Sequence, residues 1–185
     1  MFKKIIVLYT GEPRALSLSL KFRDQILEFY RNDNFVIESR YLLCYLSNNK
    51  VSNKNKIFNS ITDFKKDKYL KSVSIEERIT YNLYVHFMQQ KFDILQRISK
   101  INHSKDTIFI LTRTDWRFTD ECKDLINCSI KNNYISSPGI PFEKKEYNGI
   151  NYYPFNDHFL VFPAEYLKRI LNAFCYSIQL GKEQK

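Results

Sequence analysis

Arg113-Thr114-Asp115-Trp116-Arg117 brings two guanidinium groups, one carboxylate and one indole into five consecutive residues. Two chemistries suit that set. A carboxylate is a hard oxygen ligand for Mg²⁺ or Mn²⁺, and a guanidinium makes forked, charge-assisted hydrogen bonds to phosphate. Asp115 is therefore a candidate metal ligand, with Arg113 and Arg117 as candidate anion contacts. The same residues also allow a plainer arrangement, in which Asp115 caps a turn and pairs with a neighbouring arginine. Trp116 offers a ring that either stacks on a base or sugar or packs against its surroundings.

The run before the cluster must position it. Ile108-Phe109-Ile110-Leu111 is continuously apolar and bounded by polar residues, which suits a strand covered on both faces in a parallel sheet. In open α/β sheets ligands bind beyond the carboxyl ends of the strands. The chain opens with a similar unit. Ile5 to Tyr9 run into Gly11-Glu12-Pro13-Arg14, and Leu16, Leu20, Ile26, Leu27 and Tyr30 follow at roughly helical spacing. A strand, tight loop and helix place Gly11 to Arg14 where backbone N–H groups and Arg14 can hold a phosphate, although a plain connection with a solvated arginine would read the same. The loop lacks the spacing of a P-loop or a dinucleotide fingerprint. A third polar group, Asn156-Asp157-His158, stands just before the apolar run Phe159 to Phe162.

Phe35, Ile37, Ser39 and Tyr41 alternate ahead of Leu42 and Leu43 and predict a second strand. Residues 47 to 72 form a polar, lysine-rich and asparagine-rich excursion of a length that suits a mobile loop or lid. Ser74-Ile75-Glu76-Glu77 has the form of a capping box, and Ile79, Leu83, Phe87, Ile94, Ile98 and Ile101 follow at helical spacing, predicting a helix from about 75 to 100. Tyr134 to Ser137 is a further candidate strand, 138 to 155 a loop with a Tyr/Pro-rich patch, and Pro163 a helix start ahead of Leu167, Ile170, Leu171, Phe174 and Ile178. The βαβαβ order predicts an α/β fold: a Rossmann-like, mostly parallel central sheet with helices on both faces.

With 185 residues the chain suits one domain over its full length. A hydrophobic fraction of 44% with 4 glycines and 5 prolines excludes extended disorder. The formal charge of +9 favours an anionic partner: nucleic acid, a phosphate-bearing small molecule or the anionic face of a membrane. Cys44, Cys122, Cys128 and Cys175 are widely separated, which fits a reducing compartment rather than a zinc cage or disulfide framework. The apolar run after Lys3-Lys4 is too short for a signal peptide, and no 18-residue apolar stretch exists, so a cytoplasmic location is expected.

Taken in order, the strand into Gly11-Glu12-Pro13-Arg14, the helix ending near Lys100, the strand into Thr112-Arg113-Thr114-Asp115, the segment Asn156-Asp157-His158-Phe159, and the aromatic strand and helix that follow resemble the GT-A-type glycosyltransferase-like proteins of bacterial surface polysaccharide synthesis. The WavE-like lipopolysaccharide group is the nearest in pattern. The resemblance implies transfer of a sugar from a nucleotide-sugar donor to a lipopolysaccharide, capsule or other glycan acceptor, free or lipid-linked, with peripheral contact at an anionic inner membrane. It implies Asp115 as ligand of Mn²⁺ or Mg²⁺ on the donor diphosphate, Arg14, Arg113 and Arg117 as phosphate contacts beside Gly11 and Trp116, and Asp157 or His158 as the catalytic acid–base group. The family's Asp-x-Asp appears here as Arg113-Thr114-Asp115, with one carboxylate fewer. No nucleic-acid-binding motif interleaves the basic residues with aromatics, so no nucleic acid is expected as partner. The alternatives are a nucleic-acid-binding module and a catalytically inactive nucleotide-sugar-binding relative.

Overall fold

The computed structural model describes residues 3–12, 16–46, 64–79, 83–138, 145–147, 150–152 and 158–183. In chain order the elements are β1 (Lys3–Thr10), α1 (Leu16–Asn32), β2 (Phe35–Leu46), β3 (Leu70–Arg78), α2 (Leu83–Ser99), β4 (Thr107–Arg113), α3 (Asp120–Asn132), β5 (Lys145–Tyr147), β6 (Ile150–Tyr152), β7 (Phe159–Pro163), a 3-10 turn (Ala164–Tyr166) and α4 (Leu167–Glu183). Five strands make one sheet in the order β3-β2-β1-β4-β7, and β5 and β6 pair separately. The first four strands of that sheet are parallel to their neighbours, and only β7 runs antiparallel, against β4. The architecture is thus the single α/β domain with a mostly parallel sheet that the element order predicts.

Side chains that alternate along a strand go to opposite faces. Ile5, Val7 and Tyr9 join Ile108, Ile110, Phe159 and Val161 on one face, where Leu16, Leu20 and Leu27 of α1 and Cys122 and Ile126 of α3 cover them. Ile6, Leu8, Phe109, Leu111, Leu160 and Phe162 form the other face, beneath Ile94, Leu95 and Ile98 of α2 and Ile170, Phe174 and Ile178 of α4. Double coverage is why these strands read as unbroken apolar runs rather than as alternating ones. Each such side chain contributes roughly 1.5–3 kcal/mol relative to exposure.

Three expectations are corrected. The capping-box tetrad Ser74 to Glu77 lies in β3, paired in register with Leu42 to Tyr45, so the helix begins at Leu83 rather than near 75. Val73 and Ile75 pack on the α1/α3 core, and β3 is an edge strand with charged residues at Lys71, Glu76, Glu77 and Arg78, which blunts a free edge. The polar excursion ends earlier than 72: Phe64 is buried, Asp67 is buried and Leu70 opens β3, while residues 47–63 lie outside the described set. Tyr134 to Ser137 makes a single bridge, Ser136 to Val161, rather than a strand. It leaves Asn133 in the left-handed region at φ 57° and stops before Pro138, which has no N–H to continue a ladder. Within the expected loop 138 to 155, β5 and β6 form a short antiparallel pair.

α3 is an element that periodicity did not suggest. Asp120 and Glu121 in its first turn favour the helix dipole, Thr119 N–H donates to Cys122 Sγ at 3.5 Å, and Asn133 closes it with an N–H to the Ser129 carbonyl. Its buried face is only Cys122, Ile126 and Ser129. All four cysteines are free thiols. Among the described residues no helix is long and apolar enough to cross a membrane.

Candidate functional site at the sheet switch point

β1 leads through α1 to β2 on one side, and the chain returns through α2 to β4 on the other side of β1. The carboxyl ends of β1 and β4 therefore flank the point where the strand order reverses, the place where open α/β sheets take their ligands. Two of the three loops singled out from sequence leave here. Thr10 pairs with Arg113 at the last rung, and beyond it Thr114 N–H donates to the Thr10 carbonyl at 3.3 Å while Thr114 Oγ1 donates to the Glu12 carbonyl. Thr114, buried and not foreseen as important, stitches the two loops into one rigid rim.

Gly11 sits at φ +101°, where an L side chain is strained, and no atom of the described residues lies within 4 Å of where a Cβ would stand. Gly11→Ala is expected to cost about 1–2 kcal/mol from backbone strain alone, with no clash, and thermal unfolding of the variant measures it. A wild-type midpoint would show that the loop relaxes freely.

Asp115 and Arg113 find each other. Arg113 Nε donates to Oδ1 at 2.8 Å and Nη2 to Oδ2 at 2.7 Å, a side-on fork. The fork leaves Nη1 without a hydrogen bond among the described residues. On strand alternation Arg113 follows Phe109 and Leu111 toward the α2/α4 face. Both carboxylate oxygens of Asp115 are thus occupied by a cation already. Among the described residues no group of three or more His, Cys, Asp or Glu is placed to hold a metal. Of the two arrangements open to Asp115, the structure shows the pairing with a neighbouring arginine.

Trp116 turns inward. Its ring stacks on Phe159 with centroids 5.9 Å apart and meets His158 edge-on at 6.0 Å, and its carbonyl accepts from Ser19 Oγ at 2.7 Å. Its indole N–H is buried without a hydrogen-bond partner among the described residues. Arg117 lies over the Phe22 ring at 4.3 Å, so it braces the loop against α1. His158 lies beside this loop, and its carbonyl accepts from Thr112 Oγ1 at 3.1 Å. Arg14 and Asp157 lie outside the described residues.

Fold and site together define a single α/β domain with an oriented guanidinium at its switch point. No protein-family model matches the chain, and no curated protein is significantly similar. Among solved structures it resembles a glycosyltransferase involved in the glycosylation of the major capsid of PBCV-1, with 10% identity and a TM-score of 0.45. The match covers 94% of this chain and 66% of that one. A likeness that distant says nothing about chemistry.

Proposed function

We propose that the chain is a glycosyltransferase that binds the diphosphate of a sugar nucleotide at the switch-point crevice and passes the sugar to a glycan hydroxyl. The observation that carries this is the Arg113–Asp115 fork: Asp115 fixes the plane of the guanidinium, and Nη1 makes no hydrogen bond among the described residues. A preoriented arginine suits a diphosphate, which gains negative charge as the glycosidic bond breaks. Among the described residues Gly11 has no neighbour where a side chain would stand, and the +9 charge favours anionic donors. With Asp115 committed to Arg113, the guanidinium takes the charge-neutralising part and donor binding needs no divalent cation. The order of motifs supports an acceptor of lipopolysaccharide, capsule or other glycan type, and the basic surface supports work beside an anionic membrane.

A thermal-shift panel of UDP, GDP, CMP and dTDP, each with EDTA and with Mn²⁺, tests this. A ligand at 100 times its dissociation constant stabilises by about 2.7 kcal/mol. The expected result is a shift for one nucleotide that is equal in EDTA and Mn²⁺. A shift that requires Mn²⁺ would restore a metal role, and no shift with any nucleotide, together with salt-sensitive binding of single-stranded nucleic acid, would replace the proposal by a nucleic-acid-binding module.

A further inference from the structure

α2 buries three polar residues: His86 is 5% exposed, Gln90 2% and Lys91 3%. Polar side chains in a helix's buried face cost free energy unless they are matched, and they stand here on the helix that buries Met88, Ile94, Leu95 and Ile98. Their position is set by topology. α2 runs back from the carboxyl end of β3 to the amino end of β4, so its last turn lies over the amino ends of the strands, where His103 just beyond it meets Phe109 edge-on at 5.0 Å. The first turns, with His86, stand over the carboxyl ends. There the charged groups that act on the imidazole are Arg78, from the end of β3, and Glu12, from the loop after β1. Glu12 is the residue whose carbonyl is tied to Thr114 at the rim, and Arg113 is directed to the same face. His86 thus stands over the carboxyl end of the sheet, on the α2/α4 face that Arg113 follows.

We propose that His86 is the proton acceptor of the transfer. As the acceptor hydroxyl, or water in its place, attacks the anomeric carbon, the new carbon–oxygen bond forms. The bond from that carbon to the diphosphate oxygen breaks, its electron pair leaves with the diphosphate, and the hydroxyl proton passes to the imidazole. This step rests on the sugar-nucleotide reading of the crevice. Gln90 Nε2 is in contact with His86 Nε2, and because a primary amide offers either an NH₂ or a carbonyl, Gln90 holds the ring in its neutral and its charged form. The Glu12 carboxylate favours the imidazolium that results. Burial lowers the pKa of His86, Arg78 lowers it further, and Glu12 opposes them in part. From an ordinary value of about 6.5, that leaves the ring neutral and able to accept at neutral pH. Lys91 is buried on the same helix, and α4 packs on α2 through Phe174 and Ile178 while exposing Lys182.

The test compares the full wild-type chain with His86→Gln, His103→Gln and His158→Gln. The readout is consumption of UDP-, GDP-, CMP- and dTDP-sugars with water as acceptor, from about pH 5 to about pH 9. Donor binding by calorimetry and NMR titration of the histidine rings accompany it. His86→Gln is expected to lose about 10²–10⁴-fold in kcat and its acid limb, with donor KM changed less than about twofold. His103→Gln, at the far end of the sheet, behaves as wild type. In the wild type the acid limb coincides with the His86 ring titration, a match that does not depend on any variant folding. An acid limb that tracks another group, an unchanged His86→Gln, or a loss that falls on His158→Gln instead overturns His86 while leaving transfer standing. A wild-type chain that binds donors without consuming them also overturns the proton-acceptor role. One that binds none of these donors overturns the sugar-nucleotide reading itself.

Discussion

Arg23→Met is expected to destabilise the protein by about 3–5 kcal/mol, the usual consequence of stripping one partner from a buried ion pair. The Arg23 and Asp67 side chains are both 0% exposed. Arg23 Nη1 donates to Asp67 Oδ2 at 2.9 Å and Nη2 to Oδ1 at 2.8 Å, while Nη1 also reaches Ser39 Oγ and Nε reaches Asp24, each at 2.9 Å. Asp67 accepts further from the Tyr41 hydroxyl at 2.5 Å and the Tyr69 amide at 2.9 Å. Methionine fills the volume but leaves the carboxylate in the interior with no cation. Against a total of about 5–15 kcal/mol for an ordinary domain, that is a large fraction. The measurement is a urea midpoint at unchanged m-value. The double variant Arg23→Met/Asp67→Leu should recover much of the loss, because no charge is stranded in it. Wild-type stability of Arg23→Met would reject the network as a structural clasp.

The pH dependence of that deficit follows. Burial pushes the Asp67 carboxyl up, but the Arg23 hydrogen bonds and charge, with Tyr41 and the Tyr69 amide, outweigh it and hold the carboxyl below the usual range. A depressed carboxylate contributes stability that is present above its unfolded value of about 3.9 and lost as pH falls through the folded one. Without Arg23 the same carboxyl takes up a proton readily. The gap between wild type and Arg23→Met therefore narrows in acid. The clasp joins α1, β2 and the turn before β3, and Tyr41 carries it to β1 by stacking on Tyr9 at 4.6 Å, so it fixes the half of the sheet that holds Gly11.

How much of this was legible from sequence depends on range. Ile5 to Tyr9, Ile108 to Leu111 and Phe159 to Phe162 announced themselves because a strand covered on both faces must be apolar throughout. Arg113 and Asp115 were legible as a charged cluster, and their proximity already contained the fork as one of two options. Ser74 to Glu77 misled because Ser-x-x-Glu fits a helix start and an alternating edge strand alike, and pairing with Leu42 to Tyr45 decides between them. α3 was hidden by a buried face of only three residues. Arg23 and Asp67 are 44 residues apart, and His86 comes under the electrostatic influence of Glu12 only once α2 folds back over the sheet. No local pattern encodes either meeting.

At the crevice, Arg113→Lys is expected to weaken binding of the selected nucleoside diphosphate by about 10–100-fold, the worth of a charge-assisted hydrogen bond at roughly 1.5–3 kcal/mol. Lysine keeps the charge but lacks the fork, so it can neither be held side-on by Asp115 nor present a fixed donor to phosphate. The Arg113 and Asp115 side chains are 36% and 25% exposed, and a pair this open contributes about 0–1 kcal/mol to stability, so the unfolding midpoint should barely move. Asp115→Asn separates the two roles open to that carboxylate. As the group that orients Arg113, its loss removes most turnover and acts equally in EDTA and in Mn²⁺. As a metal ligand, its loss would act only when Mn²⁺ is present. Calorimetric titration of wild type, Arg113→Lys and Asp115→Asn under both conditions decides the matter, and unaltered affinity in Arg113→Lys would remove the guanidinium from the site.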